Sequence, residues 1–181
     1  MGSPHTWAAL IRPTATPFTR PADVTQYSIG DLVANNTVAA TVAAMQFSIG
    51  NNMAGQSFML RRLKLWKSTN VITAASFRMH FFTANPFTSA PANGDNGALV
   101  FAAGNIANHV GQIDVTIDKN VFNAADGSLG YGVPSEGTEI AFQLPASASG
   151  MTLFGVLEAR NIYTPGSAEV FSAALEVRKD R

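Results

Sequence analysis

The chain has 181 residues, of which 46% are hydrophobic and only 13% are charged, with twelve basic and twelve acidic side chains and no cysteine. This length suits a single domain with a sizeable core. The lack of cysteine excludes disulfides, zinc–thiolate sites and thiol nucleophiles, and the neutral charge gives no global field to attract nucleic acid or an anionic membrane. Because the charged share is about half of the usual ~25%, we expect neighbouring subunits of a homo-oligomer to cover part of the surface.

Residues 1–23 are predicted to form an extended N-terminal arm. Four prolines stand at close intervals in this segment, and that density excludes a helix or a central strand. The segment is either a disordered terminus or an arm that lies on a neighbouring subunit. In the second case, its candidate contact residues are Trp7, Leu10, Ile11, Arg12 and Phe18.

Residues 24–181 are predicted to form a single β-sandwich domain. The strand predictions, in chain order, are a short strand after the turn at Gly30-Asp31, then Val38–Ile49, Ser57–Lys67, Ala75–Asn85, Gln112–Ile117, Ile140–Leu144, Met151–Arg160 and Ala168–Arg178. A single helical turn is expected within residues 104–111. About eight short strands separated by Gly, Pro and Asn turns indicate an all-β antiparallel sandwich or jelly roll.

The strand predicted at Ala75–Asn85 has the clearest alternation. Phe77, Met79 and Phe81 share one face, while Arg78 shares the other face with His80. This period of two is typical of a strand that is buried on one side. We therefore expect Phe77, Met79 and Phe81 in the core.

The strand predicted at Ser57–Lys67 changes parity in its middle. A bulge near Arg61-Arg62 would reconcile the two halves, because one extra residue exchanges the two faces. The two central strands together carry five basic residues: Arg61, Arg62, Lys64, Lys67 and Arg78. We expect them on a solvated face of the sheet or against an acidic partner surface, and Arg61, Arg62 and Arg78 are further candidate contact residues. A nucleic-acid-binding module would normally show a basic excess.

Residues with catalytic or ligand-binding chemistry are sparse. The three histidines, at positions 5, 80 and 109, are widely separated and form no H-x-x-x-H or H-E-x-x-H pattern. No G-x-S-x-G or glycine-rich phosphate loop occurs. No stretch approaches the ~18 apolar residues of a membrane span. We therefore predict that the protein is not an enzyme, binds no cofactor or metal, and has neither nucleic acid nor membrane as a partner.

Three segments of the chain carry a recognisable series of motifs. They are Arg20–Val33 (RPADVTQYSIGDLV), then Phe81-Phe82 with Asn85-Pro86 and Asp95-Asn96-Gly97-Ala98, and finally Leu153–Arg160 with Tyr163-Thr164-Pro165 and Glu169-Val170-Phe171. In this order and spacing they resemble a family of small structural proteins of tailed-phage virions, and they span residues 20–178. The chain departs from the family pattern at Phe87 and Gly97, where Thr and Ala are commoner.

This resemblance implies a component of a phage particle and brings no catalytic residues with it. We expect a head decoration (cement) protein on the outer surface of the phage head, which bridges subunits of the major capsid protein after assembly in the host cytoplasm. A trimer or hexamer would match the local symmetry axes of such a shell. The alternative is a module at the tail or fibre tip that binds a host-surface glycan, which would require exposed Trp or Tyr side chains.

Overall fold

The computed structural model describes residues 9–50, 56–88, 91, 93–118, 127–135, 139–143 and 151–179. These residues form two antiparallel sheets, which confirms the predicted all-β sandwich class. The strands are, in chain order, β1 (Leu10–Ile11), β2 (Phe18–Thr19), β3 (Leu32–Val33), β4 (Met45–Gly50), β5 (Ser57–Lys67), β6 (Ser76–Phe82), β7 (His109–Thr116), β8 (Ser128–Gly132), β9 (Ile140–Gln143), β10 (Met151–Ala159) and β11 (Val170–Lys179). Two short 3₁₀ helices cover Ala39–Thr41 and Ala103–Asn108. No helix in the described ranges is long and apolar enough to cross a membrane.

Each sheet is built on a pair of long central strands. Sheet A has the order β1-β11-β5-β8, with β2 also paired to β11 and β9 also paired to β5. Sheet B has the order β3-β10-β6-β7, with β4 also paired to β10. The β5–β6 and β10–β11 connections each pass from one sheet to the other, and both lie at the same end of the sandwich.

The core follows the predicted alternation. Phe77, Met79 and Phe81 are all fully buried. On the opposite face, Ser76, Arg78 and His80 are only partly buried, whereas Phe82 is buried in a second apolar cluster. Protein cores are packed about as densely as organic crystals. Each of these side chains therefore stabilises the fold both by removing apolar surface from water and by close contact with its neighbours. The predicted inward face of β6 is therefore confirmed.

The predicted bulge in β5 is also present. Val177 of β11 pairs with Leu60, whereas its neighbour Glu176 pairs with Arg62, so Arg61 is the extra residue. The bulge brings Leu60 to the same buried face as Leu63. The two halves of β5 thereby present one continuous apolar face to sheet B.

The described part of the N-terminal segment, residues 9–23, is extended and runs along β11 of the same chain. Leu10 pairs with Arg178 and Phe18 pairs with Phe171. Between these two pairs, Ala15 is 3% exposed and belongs to the hydrophobic core. The predicted domain boundary after residue 23 and the predicted contact of this segment with a neighbouring subunit stay predictions. Trp7 lies outside the described residues.

Candidate binding surface

The residues that carry the family-like motifs form buried polar clusters inside the fold. In the first cluster, the Tyr27 hydroxyl donates to Asp95 Oδ1 at 2.6 Å, and Arg20 Nη2 lies 3.0 Å from Asp95 Oδ2. The Ala34 backbone N–H also donates to Asp95 Oδ1, at 2.7 Å. Burial raises the pKa of Tyr27 and keeps the phenol neutral. This cluster ties the N-terminal segment to the loop that follows β6.

The second cluster surrounds Glu169. Lys67 Nζ lies 2.9 Å from Glu169 Oε1, and the Tyr163 hydroxyl donates to the same carboxylate at 2.8 Å. Thr69 Oγ1 is also hydrogen-bonded to Glu169. Burial lowers the pKa of Lys67, and the adjacent Glu169 opposes that shift. Both partners of the Lys67–Glu169 pair are fully buried, so this cluster holds the ends of β5 and β11 together and is not a binding surface.

The five basic residues of the central strands do not share one face. Arg61, Arg62 and Lys64 lie on the outer face of sheet A, whereas Lys67 points into the sandwich. Arg78 lies on the outer face of sheet B, where its guanidinium forms two hydrogen bonds to Asp114, at 2.6 and 2.8 Å. The expectation of a single solvated basic face was therefore wrong. After the bulge, Lys67 falls on the same face of β5 as the buried Leu63 and Leu65, so it cannot share the outer face with Arg62. Arg78 is separated from the other four because β6 belongs to the other sheet.

A basic corner forms where β1, β11 and β5 meet on the outer face of sheet A. We define it by Leu10, Arg12, Arg61, Arg62 and Arg178. The strand register places Leu10 beside Arg178 and Arg12 beside Glu176. The Arg61 and Arg62 side chains are each 48% exposed, and Leu10 is 44% exposed.

Two carboxylates partly balance this corner. Glu139 pairs with Arg61 and with Arg178, each at 3.1 Å, and Glu176 pairs with Arg62 at 2.9 Å. Among the described residues, the corner thus carries four guanidinium groups against two carboxylates, a positive surplus on a chain whose net charge is zero. A surface of this kind is complementary to an acidic partner.

The other two arm residues that were predicted as contacts pack on their own domain. The Phe18 ring stacks on Phe171, with ring centroids 5.6 Å apart. Ile11 is partly buried against the core. Of the described arm residues, Leu10 and Arg12 are therefore the ones that contribute to the basic corner.

A second surface feature, the aromatic groove, lies further along the outer face of sheet A. Its volume is about 420 Å³, and it is lined by Trp66, Lys67, Ser68, Gly127, Ser128, Val170 and Ser172. Lys64 Nζ lies 5.0 Å from the centroid of the Trp66 ring. On the neighbouring strand, the Arg62 guanidinium lies 5.1 Å from the centroid of the Tyr131 ring. Alternation along β5 could have placed Lys64 and Trp66 on one face, but their pairing with β8 could not be read from the sequence.

The outer face of sheet B carries paired polar side chains. His80 Nε2 lies 2.8 Å from Glu158 Oε2, and the His80 and His109 ring centroids are 5.7 Å apart. Burial and the nearby His80 lower the pKa of His109. Within the described ranges, no group of three or more His, Asp or Glu side chains is arranged to hold a metal ion.

The chain is similar to several solved structures. The match to a structure of Desmodium yellow mottle tymovirus covers 98% of this chain and 89% of the viral chain, at 14% identity and a TM-score of 0.30. For Mud Crab Dicistrovirus the coverages are 96% and 70%, at 7% identity and a TM-score of 0.34. For the CBM22-1–GH10 modules of Clostridium thermocellum xylanase 10B, complexed with xylohexaose, they are 94% and 26%, at 8% identity and a TM-score of 0.32. No protein-family model and no curated protein matches the chain. At these identities and TM-scores, the similarities assign no function.

Proposed function

We propose that the protein is a structural component of a tailed-phage virion, and specifically a head decoration protein that binds the major capsid protein and bridges its subunits. The observation that carries this proposal is the basic corner, an exposed positive and partly apolar surface on a chain whose net charge is zero. The resemblance to virion proteins supports it, because the shared motif residues Arg20, Tyr27, Asp95, Tyr163 and Glu169 form the internal framework of the fold. The role is binding rather than catalysis.

The geometry of the corner suits recognition of an acidic surface. Glu139 lies between Arg61 and Arg178 and holds both guanidinium groups in place, so less side-chain entropy is lost when a partner carboxylate binds. Planar guanidinium groups can pair with carboxylates through two hydrogen bonds. A protein that binds only the expanded shell stabilises that shell by mass action. Binding as a trimer or hexamer would place several such corners around one symmetry axis.

The experiment is co-sedimentation of the purified protein with expanded capsids that lack it. Arg61→Gln combined with Arg62→Gln removes two charges and keeps most of the aliphatic stems. We expect about tenfold weaker binding, since two exposed charge pairs at roughly 0.7 kcal/mol each amount to ~1.4 kcal/mol, and a weaker dependence on salt. Arg78→Gln, on the outer face of sheet B, is the matched control and should bind normally. Equal losses for the two variants would contradict the proposed surface.

A second candidate function is a glycan-binding module at the tail or fibre tip. Trp66 and the 46% exposed Tyr131 favour it, because aromatic rings on a sheet face can stack on sugar rings. Gold labelling of intact particles separates the two functions. Many copies over the head support decoration, whereas a few copies at the tail end support the second candidate.

A further inference from the structure

We propose that the aromatic groove is a binding site for a polysaccharide that carries carboxylate or sulfate groups. The inference goes beyond shell binding and does not depend on it, because the groove lining contains no residue of the basic corner, although Arg62 of the corner also lies beside Tyr131. Along β5, Trp66 is five residues from Arg61, which corresponds to roughly 16 Å at the usual rise of a strand. A partner that contacts Arg61 therefore lies well away from the Trp66 ring.

The Trp66 ring supplies the first stacking surface. The groove is lined by Trp66 and by Ser68, which lies two residues further along the chain, and Lys64 is not part of that lining. Lys64 lies over one face of the ring, and we infer that the opposite face is the one that lines the groove. A cation on one face of an indole leaves the opposite face available to the C–H groups of a sugar ring.

Tyr131 supplies a second stacking surface beside the first. Lys64 pairs with Tyr131, and Trp66 pairs with Leu129, so Trp66 and Tyr131 are diagonal neighbours on the same face. Diagonal neighbours in an antiparallel pair have Cα atoms roughly 7–8 Å apart. Two aromatic rings at this separation fit successive residues of an extended sugar chain better than a single isolated ligand.

The charges and hydroxyl groups determine the chemical class of the ligand. Lys64 lies at the Trp66 ring and Arg62 at the Tyr131 ring. Acidic groups on the sugar chain would therefore meet the Lys64 ammonium at the first ring and, at the second, a guanidinium that also pairs with Glu176. Ser68 Oγ accepts a hydrogen bond from the Val170 N–H, so its own hydrogen is directed elsewhere. A groove that combines stacking, hydroxyl groups and flanking cations fits an acidic polysaccharide.

Tryptophan fluorescence gives a direct test. The chain has two tryptophans, Trp7 and Trp66, so a Trp7→Phe protein reports Trp66 alone. This protein is titrated with polygalacturonate, which carries carboxylates, with dextran sulfate, with neutral dextran and with single-stranded oligothymidylate. We expect either acidic polysaccharide, or both, to change the Trp66 emission at a saturable concentration.

Variants then identify the residues, with affinity electrophoresis in the same polymers as the readout. Trp66→Ala should weaken binding about tenfold or more, because one stacking surface is lost. Tyr131→Ala should weaken it, whereas Tyr131→Phe keeps the ring and should bind nearly as well as the parent. Lys64→Gln should weaken binding of the acidic polymers. Arg78→Gln is the charge control, and thermal melts of all variants exclude loss of folding.

Four results would overturn the proposal. They are no binding of either acidic polymer, binding that Trp66→Ala leaves unchanged, binding of neutral dextran with equal affinity, and equal or tighter binding of oligothymidylate through the same residues. Shell binding is measured in parallel. We expect Trp66→Ala to keep normal co-sedimentation with capsids. Arg61→Gln alone leaves Arg62 beside Tyr131, so it should weaken shell binding and keep normal polysaccharide binding, and failure of one proposal is distinguishable from failure of the other.

Discussion

At the scale of single residues, the most consequential feature is the buried charge around Glu169. Lys67 and Glu169 are both fully buried, and removing charged groups from water costs several kcal/mol for each ion. That cost is offset by the attraction between the two ions together with the hydrogen bonds that the carboxylate makes with the Tyr163 and Thr69 hydroxyl groups. The cluster is therefore stable as a complete set and unstable when one member is removed.

The first prediction concerns this pair. Lys67→Met should lower the free energy of unfolding by about 3–5 kcal/mol, because it leaves the Glu169 carboxylate buried without its counter-charge. Adding Glu169→Gln should restore much of the loss, since the neutral amide still accepts a hydrogen bond from Tyr163. Urea unfolding of the parent, the single variant and the double variant measures both effects. A single variant as stable as the parent would show that the pair is dispensable.

The second prediction separates the two faces of β6. Phe81→Ala should cost about 3–5 kcal/mol, through lost burial and the cavity that remains. Arg78→Ala should cost about 1 kcal/mol or less, because the Arg78–Asp114 pair is partly solvated and exposed pairs contribute little. Side-by-side thermal melts provide the comparison. A larger loss for Arg78→Ala would mean that its pairing with Asp114 is essential to sheet B.

At the scale of elements, the long strands could be predicted and the short ones could not. Alternation over seven or more residues identified β6 and β11, because burial on one side imposes a period of two. The bulge at Arg61 was visible as a break in that period. By contrast, β1 and β2 have two residues each, which is too short to show any period.

A strand was predicted over Val38–Ile49, but β4 begins only at Met45. Residues 39–41 form a 3₁₀ turn, and the Asn35 side chain binds this stretch by accepting from the Ala43 N–H and donating to the Thr41 carbonyl. Such side-chain-to-backbone bonds compete with a strand ladder. The basic corner and the aromatic groove were predicted only in part. Their residues could be named on β5, but the neighbours of Arg61 and Trp66 come from strands that are distant in sequence.

The third prediction concerns the crossing of β7 and β8, where the two sheets approach each other. A Cβ atom on Gly132 would lie 2.3 Å from the carbonyl oxygen of Asp114, a contact that requires the backbone to move. Gly132→Ala should therefore lower stability by about 1–3 kcal/mol. Gly104→Ala is the matched control, because nothing lies within 4 Å of its added carbon. Equal melting temperatures for the two variants would show that the crossing can relax without cost.

At the scale of the whole molecule, the N-terminal segment completes the sandwich of its own chain. The Ala15 N–H donates to the Ala173 carbonyl at 2.9 Å, and the Arg20 N–H donates to the Glu169 carbonyl at 3.0 Å. The segment thus covers the free edge of β11, which would otherwise present unpaired backbone groups. The Arg20 side chain pairs with Asp95 of the first buried cluster, while its backbone N–H binds Glu169 of the second. The segment thereby connects the two clusters.

The fourth prediction tests that role by truncation. Deleting residues 1–8 leaves every described contact in place and provides the reference truncation. Deleting residues 1–23 removes β1, β2 and Arg20, so the β11 edge is uncovered and Asp95 stays buried without its cation. Loss of this ion pair alone should lower the free energy of unfolding by about 3–5 kcal/mol. Against a typical stability of ~5–15 kcal/mol, the longer truncation should unfold at a much lower urea concentration or aggregate through its free edge. Circular dichroism, urea titration and light scattering measure these outcomes. If residues 24–181 alone melt like the parent, the segment is a detachable arm whose contacts on β11 contribute little, and its apolar side chains would be available to a neighbouring subunit.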